Sequence, residues 1–389
     1  MTALFDEGVS QRFVFPYYIE STMRRIKVAP GRFYLPELDG LRFFAFLAVF
    51  LSHAASSPLR PSSDSVWLTL VSGTGRYGVD LFFTMSAYLL TTLMLREQEL
   101  YGQVRVKAFY ARRILRIWPL YYTFLLGLLC FQAISWSTFH PRWVIAYACF
   151  VSNLTSTGIY PGLAVDALWS LSVEEQFYLV WPLIVRLASS RRGVLVAGVA
   201  AWVISAGVRT ALLASGTAPR ELWGTGFARL DSIAAGVILA ACLNGVSSIT
   251  LSNARRVGLM SLGLLLWTTV AIKCHLFAAS PGRVLGPALG YFLIALGCVA
   301  FFFAALGAQT WITSRPLVYF GRISYGLYVF HLPVLLILKF FLPQIHLAAF
   351  IALGLLVTLV VSTASYEWLE APFLRLKKRF EQISSAPVV

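Results

Sequence analysis

An all-α, polytopic integral-membrane helical bundle is the fold class the sequence predicts, and three observations carry the prediction. Hydrophobic residues make up 58% of the 389-residue chain and charged ones 13%, against about 45–50% and about 25% in soluble proteins. The apolar residues fall in runs that approach the ~20 residues a helix needs to cross hydrocarbon. The basic residues sit in short clusters between those runs, the placement that fixes orientation in a membrane. Soluble domains of roughly 100–200 residues each are thereby excluded, together with fibrous, disordered and disulfide-scaffold classes. The net charge of +15 is not gathered on one folded face, so the partner it implies is the lipid bilayer and not nucleic acid. Cys130, Cys149, Cys242, Cys274 and Cys298 show no CxxC spacing and are odd in number, which points to neither a zinc site nor a disulfide framework.

Residues 1–37 contain no apolar core ahead of a small-residue cleavage site, so they read as a cytoplasmic N-terminal arm and not as a removed signal. About ten spans follow. They are expected near Leu41 to Ser57, Gly78 to Leu95, Trp118 to Trp136, Leu168 to Leu187 and Gly193 to Ala214, then near Leu230 to Val246, Val257 to Ala279, Pro287 to Ala308, Ile323 to Leu342 and Leu347 to Tyr366. The segment 143–157 is short and carries Asn153 among several Ser and Thr; it is expected to be re-entrant or interfacial. That choice gathers Arg96 to Arg116, Arg186 to Arg192, Arg255-Arg256, Arg315, Arg322 and the tail cations on one side with both termini. The other side keeps only Arg60, Arg76, Arg142, Arg220, Arg229 and Arg283, while Arg209, Lys273 and Lys339 fall inside spans. Counting 143–157 as a crossing would place the Arg191-Arg192 loop and the basic tail outside, against the rule that cytoplasmic loops gather Lys and Arg. The expected organisation is therefore a transmembrane domain over 38–370 and a basic cytoplasmic tail over 371–389.

Ionisable groups within spans are costly, so each is a candidate for function. Arg42 and His53 lie eleven residues apart on the first span, roughly 16 Å along a helix, which sets His53 in the outer half of the bilayer if Arg42 marks the cytoplasmic boundary. Imidazole titrates near working pH and can act as general base; a histidine hydrogen-bonded between helices is the alternative. Asp80 opens the second span and could orient that imidazole, or stabilise its own helix N-terminus. Arg113 and Arg116 are three residues apart and share a helix face, able to grip one phosphate together. In Trp169-Ser170-Leu171-Ser172-Val173-Glu174-Glu175-Gln176-Phe177-Tyr178, Ser172 and Glu175 fit a capping box. A helix beginning only after Ser172 would be short for a span, so an earlier start is expected, with both glutamates inside the membrane. His331 falls near the middle of the ninth span and could line the same cavity.

Together these segments resemble the membrane acyltransferase-3 family, bacterial integral-membrane enzymes that O-acylate carbohydrates. The matching stretches are Asp39 to His53, Gly78 to Thr91, Phe109 to Pro119, Trp169 to Pro182, Ile323 to Pro333 and Tyr366 to Arg375. The family's Arg or Lys, ten residues, then His pattern lands on Arg42 and His53, and its Arg-x-x-Arg on Arg113 and Arg116. Four positions depart from the family: Ala87 and Tyr88, in Ser86-Ala87-Tyr88-Leu89 where Ser-Gly-Phe-Leu is common, Phe330 for a common Trp, and Phe43 for a frequent Gly. The resemblance implies a multi-pass protein of the bacterial inner membrane that moves an acyl group, acetyl above all, from acyl-CoA to a hydroxyl of a carbohydrate or glycosylated acceptor. His53 is then the base, Glu175 or Asp80 holds its imidazole, and Arg42, Arg113 and Arg116 bind the CoA phosphates. Glu174, Tyr178 and His331 are expected on the acceptor. Acyl-CoA serves as co-substrate, with no permanently bound cofactor and no metal. The competing class is a proton-coupled transporter or a flippase of lipid-linked saccharides, since buried His, Glu and Asp also build proton relays; the inverted repeats of many transport folds are not visible here.

Overall fold

A computed structural model of the chain describes residues 33–56, 66–134, 141–154, 163–243, 246, 249–280, 282, 284–309 and 311–383. The expected arm up to residue 32 and the last residues of the expected tail, 384–389, lie outside the described residues, as does the end of the 143–157 segment. The described residues are helical with no strand among them. Each expected span coincides with a helix: α1 (Pro36–Ala55), α3 (Gly78–Tyr101), α4 (Val106–Ile134), α6 (Trp169–Ala188), α7 (Arg191–Ala214), α8 (Asp231–Leu243), α9 (Asn253–Lys273), α10 (Leu285–Ala305), α12 (Ser324–Phe341) and α13 (Leu347–Ser365). Among the described residues eight segments are long and apolar enough to cross a membrane; α6, with its two glutamates, and the 13-residue α8 are not among them. Between these run a ten-residue α2 (Val66–Gly75) ahead of α3, an eight-residue α5 (Pro141–Ala148), an eight-residue α11 (Arg315–Arg322) and α14 (Ala371–Lys377).

Local chemistry sets the boundaries. Pro36 occupies the first turn of α1, where its missing N–H costs no hydrogen bond, and Glu37 and Asp39 meet the positive end of the helix dipole. Ser190 and Ser252 cap α7 and α9 by accepting from the Gly193 and Arg255 N–H groups at 3.1 and 3.4 Å. Gly102 ends α3 in the left-handed conformation at φ 74°, where L side chains are strained. In α6 the helix begins at Trp169, before Ser172, whose hydroxyl bonds that of Ser152 at 2.8 Å; Ser172 therefore sits inside the helix and does not cap it. α4 begins well before Trp118, so Arg112, Arg113 and Arg116 ride on the helix itself.

The short helix α5 is far below spanning length and is tied to α6 through a turn at Phe150 (φ 54°). The Gln176 amide donates to the Phe150 carbonyl and to Asn153 Oδ1, both at 2.8 Å. Trp143, Tyr147 and Phe150 are buried in the same core as α4 and α6. Further cores lie around α3, α8, α9 and α10, around α1, α12 and α13, and, smaller, at Leu213, Leu222 and Ala228. Helix pairs meet at near-backbone distance where glycine permits. A Cβ on Gly236 of α8 would lie 2.3 Å from the Thr84 carbonyl of α3, and one on Gly321 of α11 would lie 1.7 Å from the Asp39 carbonyl of α1. The faces of α7, α9 and α13 away from these cores expose Val203, Ile204, Leu264, Leu265, Leu356 and Val360, an apolar surface suited to lipid. This is a polytopic helical membrane protein.

Candidate active site

α1 carries Arg42 near one end and His53 near the other, and α12 runs beside it. The two elements bring His53 Nδ1 to 3.0 Å from His331 Nε2, and His331 Nδ1 to 2.6 Å from the Tyr328 carbonyl. His331 is fully buried, His53 half-buried, with Phe46 and Tyr328 packed on the His331 ring. The backbone carbonyl can only accept, so His331 Nδ1 carries the hydrogen. In the neutral ring Nε2 is then a lone pair, which makes His53 Nδ1 the donor between the two imidazoles. His53 is left with its basic lone pair on Nε2, the tautomer a general base requires. The Tyr328 carbonyl thus sets the tautomer of His331 and, through it, that of His53, whose ring also meets the Val49 carbonyl.

The carboxylates expected to hold the imidazole are engaged elsewhere. Asp80 Oδ2 accepts from Arg229 at 2.5 Å and Oδ1 from Ser232 at 2.9 Å, all three buried. Arg229 in turn donates to the Trp223 carbonyl at 2.9 Å and stacks on the Trp223 ring at 3.4 Å. Beside it Arg209, seen in the sequence only as a cation within a span, binds both oxygens of Asp231 at 2.6 and 3.1 Å. Glu175 accepts from the Trp118 indole at 3.4 Å through one oxygen, and its other oxygen is buried with no hydrogen-bond partner. The place foreseen for Asp80 or Glu175 belongs to His331, which was expected on the acceptor instead. Lys273 and Lys339, the other in-span cations, stand in the last turns of α9 and α12, where cations suit the helix dipole.

Arg42, Arg113 and Arg116 do converge. They line one cavity of about 580 Å³ that opens at the Arg42 end of α1. Arg42 pairs with Asp39 at 3.2 Å, and Arg116 donates to the Arg322 carbonyl at 2.8 Å. Arg113 lies 5.8 Å from the Tyr178 ring centre, and its buried Nε has no hydrogen-bond partner. Glu174, which accepts from Tyr178 at 2.7 Å, lies on the same wall. Glu174 and Tyr178 are thus gathered with the arginines and not with the histidine pair. At its deep end the cavity reaches Phe82 and Tyr328, whose rings meet edge to face at 6.1 Å. Tyr328 is the joint of the arrangement: its ring walls the cavity, its hydroxyl is held by Ser170 at 2.7 Å and the Ala167 carbonyl at 2.9 Å, and its carbonyl fixes His331. Nothing in the local sequence marked it. Among the described residues no group of His, Cys, Asp and Glu could hold a metal ion.

Comparison with known proteins adds a family. The model of the acyltransferase-3 family, described as an acyltransferase domain, matches residues 35–367. Similar curated proteins include O-acetyltransferase OatA of Staphylococcus aureus, 27% identical over 383 residues, covering 91% of this chain and 59% of that protein. Peptidoglycan O-acetyltransferase OatA of Listeria monocytogenes is 26% identical over 373 residues, covering 88% and 56%. The chain therefore spans little more than half the length of these relatives. No solved structure matches it.

Proposed function

The chain belongs to the acyltransferase-3 family, and from that premise we propose that it is an integral-membrane O-acetyltransferase moving an acetyl group from acetyl-CoA to a hydroxyl of a carbohydrate acceptor. The observation that carries this reading is the pair of tautomer-locked histidines behind an arginine-lined cavity. In the proposed reaction His53 Nε2 takes the proton of the acceptor hydroxyl as its oxygen attacks the thioester carbonyl. The tetrahedral intermediate collapses with cleavage of the C–S bond, and the proton on His53 passes to the leaving CoA thiolate. Arg113 and Arg116 hold donor phosphates as forked, permanently charged groups. The acyl arm must then cover roughly the 16 Å of helix from Arg42 to His53 and pass Tyr328. A peptidoglycan sugar is the acceptor class favoured by the name of the Listeria relative.

The test is incubation of the purified protein with radiolabelled acetyl-CoA and candidate glycans. Label on the glycan with stoichiometric CoA release supports transfer; a transporter or flippase would release no CoA. Arg113→Ala and Arg116→Ala are each expected to weaken acetyl-CoA binding about tenfold or more, the worth of a charge-assisted hydrogen bond. The defect is expected to shrink at high salt, where the phosphate contact is already screened. Wild-type affinity in both variants would remove the arginines from the donor site.

We further propose that both termini and the mouth of the cavity face the cytoplasm, because the basic clusters of α4, α11 and α14 stand at one end of the bundle. Reporters fused after Val389 are expected to be active only when the reporter functions in the cytoplasm, and activity of a reporter that works only outside would overturn the orientation. In sealed, oriented proteoliposomes, donor supplied at the cavity face alone is expected to sustain transfer.

A further inference from the structure

The chain past residue 367, where the family match ends, returns to the cavity. A π-helical turn over Tyr366–Glu370 leads into α14, which packs against α4. Arg112 donates to the Phe380 carbonyl at 2.7 Å, and the Tyr101 hydroxyl to the Gln382 carbonyl at 3.4 Å. These bonds hold the tail in place and set Lys377 in electrostatic reach of both Arg113 and Arg116. The Lys377 side chain is only 17% exposed and pairs with Glu381 at 3.1 Å. Lys378 lies on the same wall, so the cavity carries seven Arg and Lys against four Asp and Glu. Cations held together at a partly buried surface repel one another unless an anion sits between them. The surplus of positive charge therefore marks a site for a ligand with several negative charges, and part of that surplus comes from residues past the end of the family model's match.

We infer that the tail is part of the donor site: Lys377 and Lys378 hold the 3′-phosphate of acyl-CoA while Arg113 and Arg116 hold its diphosphate. The inference rests on the acyl-CoA reading above. A donor that enters acyl end first leaves its nucleotide at the mouth, and its 3′-phosphate is then the charged group nearest α14. Dephospho-CoA, which lacks that phosphate alone, separates the tail from the arginines.

The experiment measures equilibrium binding of CoA and dephospho-CoA to the purified full chain, as wild type, Lys377→Gln/Lys378→Gln and Lys377→Arg/Lys378→Arg. Wild type is expected to prefer CoA by about tenfold or more. The glutamine variant is expected to lose that preference by binding CoA more weakly, with dephospho-CoA affinity unchanged, and the arginine variant to keep it. The inference is overturned if wild type binds both nucleotides alike, or if the glutamine variant keeps the preference or weakens both equally. Should the double variant lose its fold, Lys378→Gln alone, at an exposed position, reads the same ratio. Wild type that binds neither nucleotide would instead bring down the acyl-CoA reading itself.

Discussion

Replacing His53 with alanine is expected to lower acyl transfer ~10²–10⁴-fold, the usual worth of a general base, with protein level in the membrane near that of wild type. The side chain is half-buried and its hydrogen-bond partners, the His331 ring and the Val49 carbonyl, are neutral, so its removal leaves no charge stranded. His331→Ala removes the acceptor that selects the His53 tautomer. A loss of roughly 10–100-fold is expected there, as for other groups that orient an imidazole. It is expected in kcat with the KM for acetyl-CoA unchanged, because His331 touches neither donor nor arginine. Glutamine at 331 keeps an acceptor oxygen and is expected to recover part of the rate. Steady-state kinetics of the three variants in one membrane preparation decide the matter: wild-type turnover in His53→Ala would reduce the pair to packing.

Asp80→Ala is expected to act on folding instead of on turnover. Asp80 and Arg229 are 1% and 2% exposed, and removing one partner of such a pair leaves an uncompensated buried charge at a cost of ~3–5 kcal/mol. That is a large part of a typical ~5–15 kcal/mol of stability. The neighbouring Arg209–Asp231 pair, with Trp202 and Ser205 bonded to the same carboxylate, gives the region little slack to compensate. Thermal unfolding in detergent is expected to fall by about 5 °C or more, with less folded protein in the membrane. Asp80→Leu combined with Arg229→Met removes both charges and is expected to recover much of that loss. An Asp80→Ala protein of normal stability but no turnover would return the residue to the chemistry.

The helices were legible because membrane insertion writes itself into local sequence: apolar runs mark the spans, and Lys and Arg placement marks their ends. Even α8, short as it is, stood out between Leu230 and Val246. Partners were not legible, since nothing local encodes them. Asp80 and Arg229 are separated by 149 positions, and His53 and His331 by 278. A carboxylate at a helix N-terminus is equally compatible with orienting a histidine and with binding an arginine on another helix. Only the packing of α3 against α8 at Gly236 decides, by bringing Ser232 and the start of α8 onto Asp80. The Arg113 and Arg116 pair was readable because its spacing is a property of one helix. The tail's return to the cavity depends on Arg112 meeting a backbone carbonyl near the end of the chain, for which the sequence carries no sign.

The aromatic partition between the cavity and the histidine pair also bears on bioenergetics. An energised membrane stores about 2.3 kcal/mol for each charge at 100 mV, and a continuous file of water through a protein would dissipate that store as a proton leak. Phe82 and Tyr328 interrupt such a file between a cation-lined vestibule and two proton-carrying rings. In the proposed reaction, with donor and acceptor on opposite sides, that seal opens once per turnover, and an entering pantetheine arm would fill the gap as it opens it. On that reading the same tyrosine serves the seal and the reaction, and a smaller residue at 328 is expected to raise proton leak in proteoliposomes as well as to slow transfer.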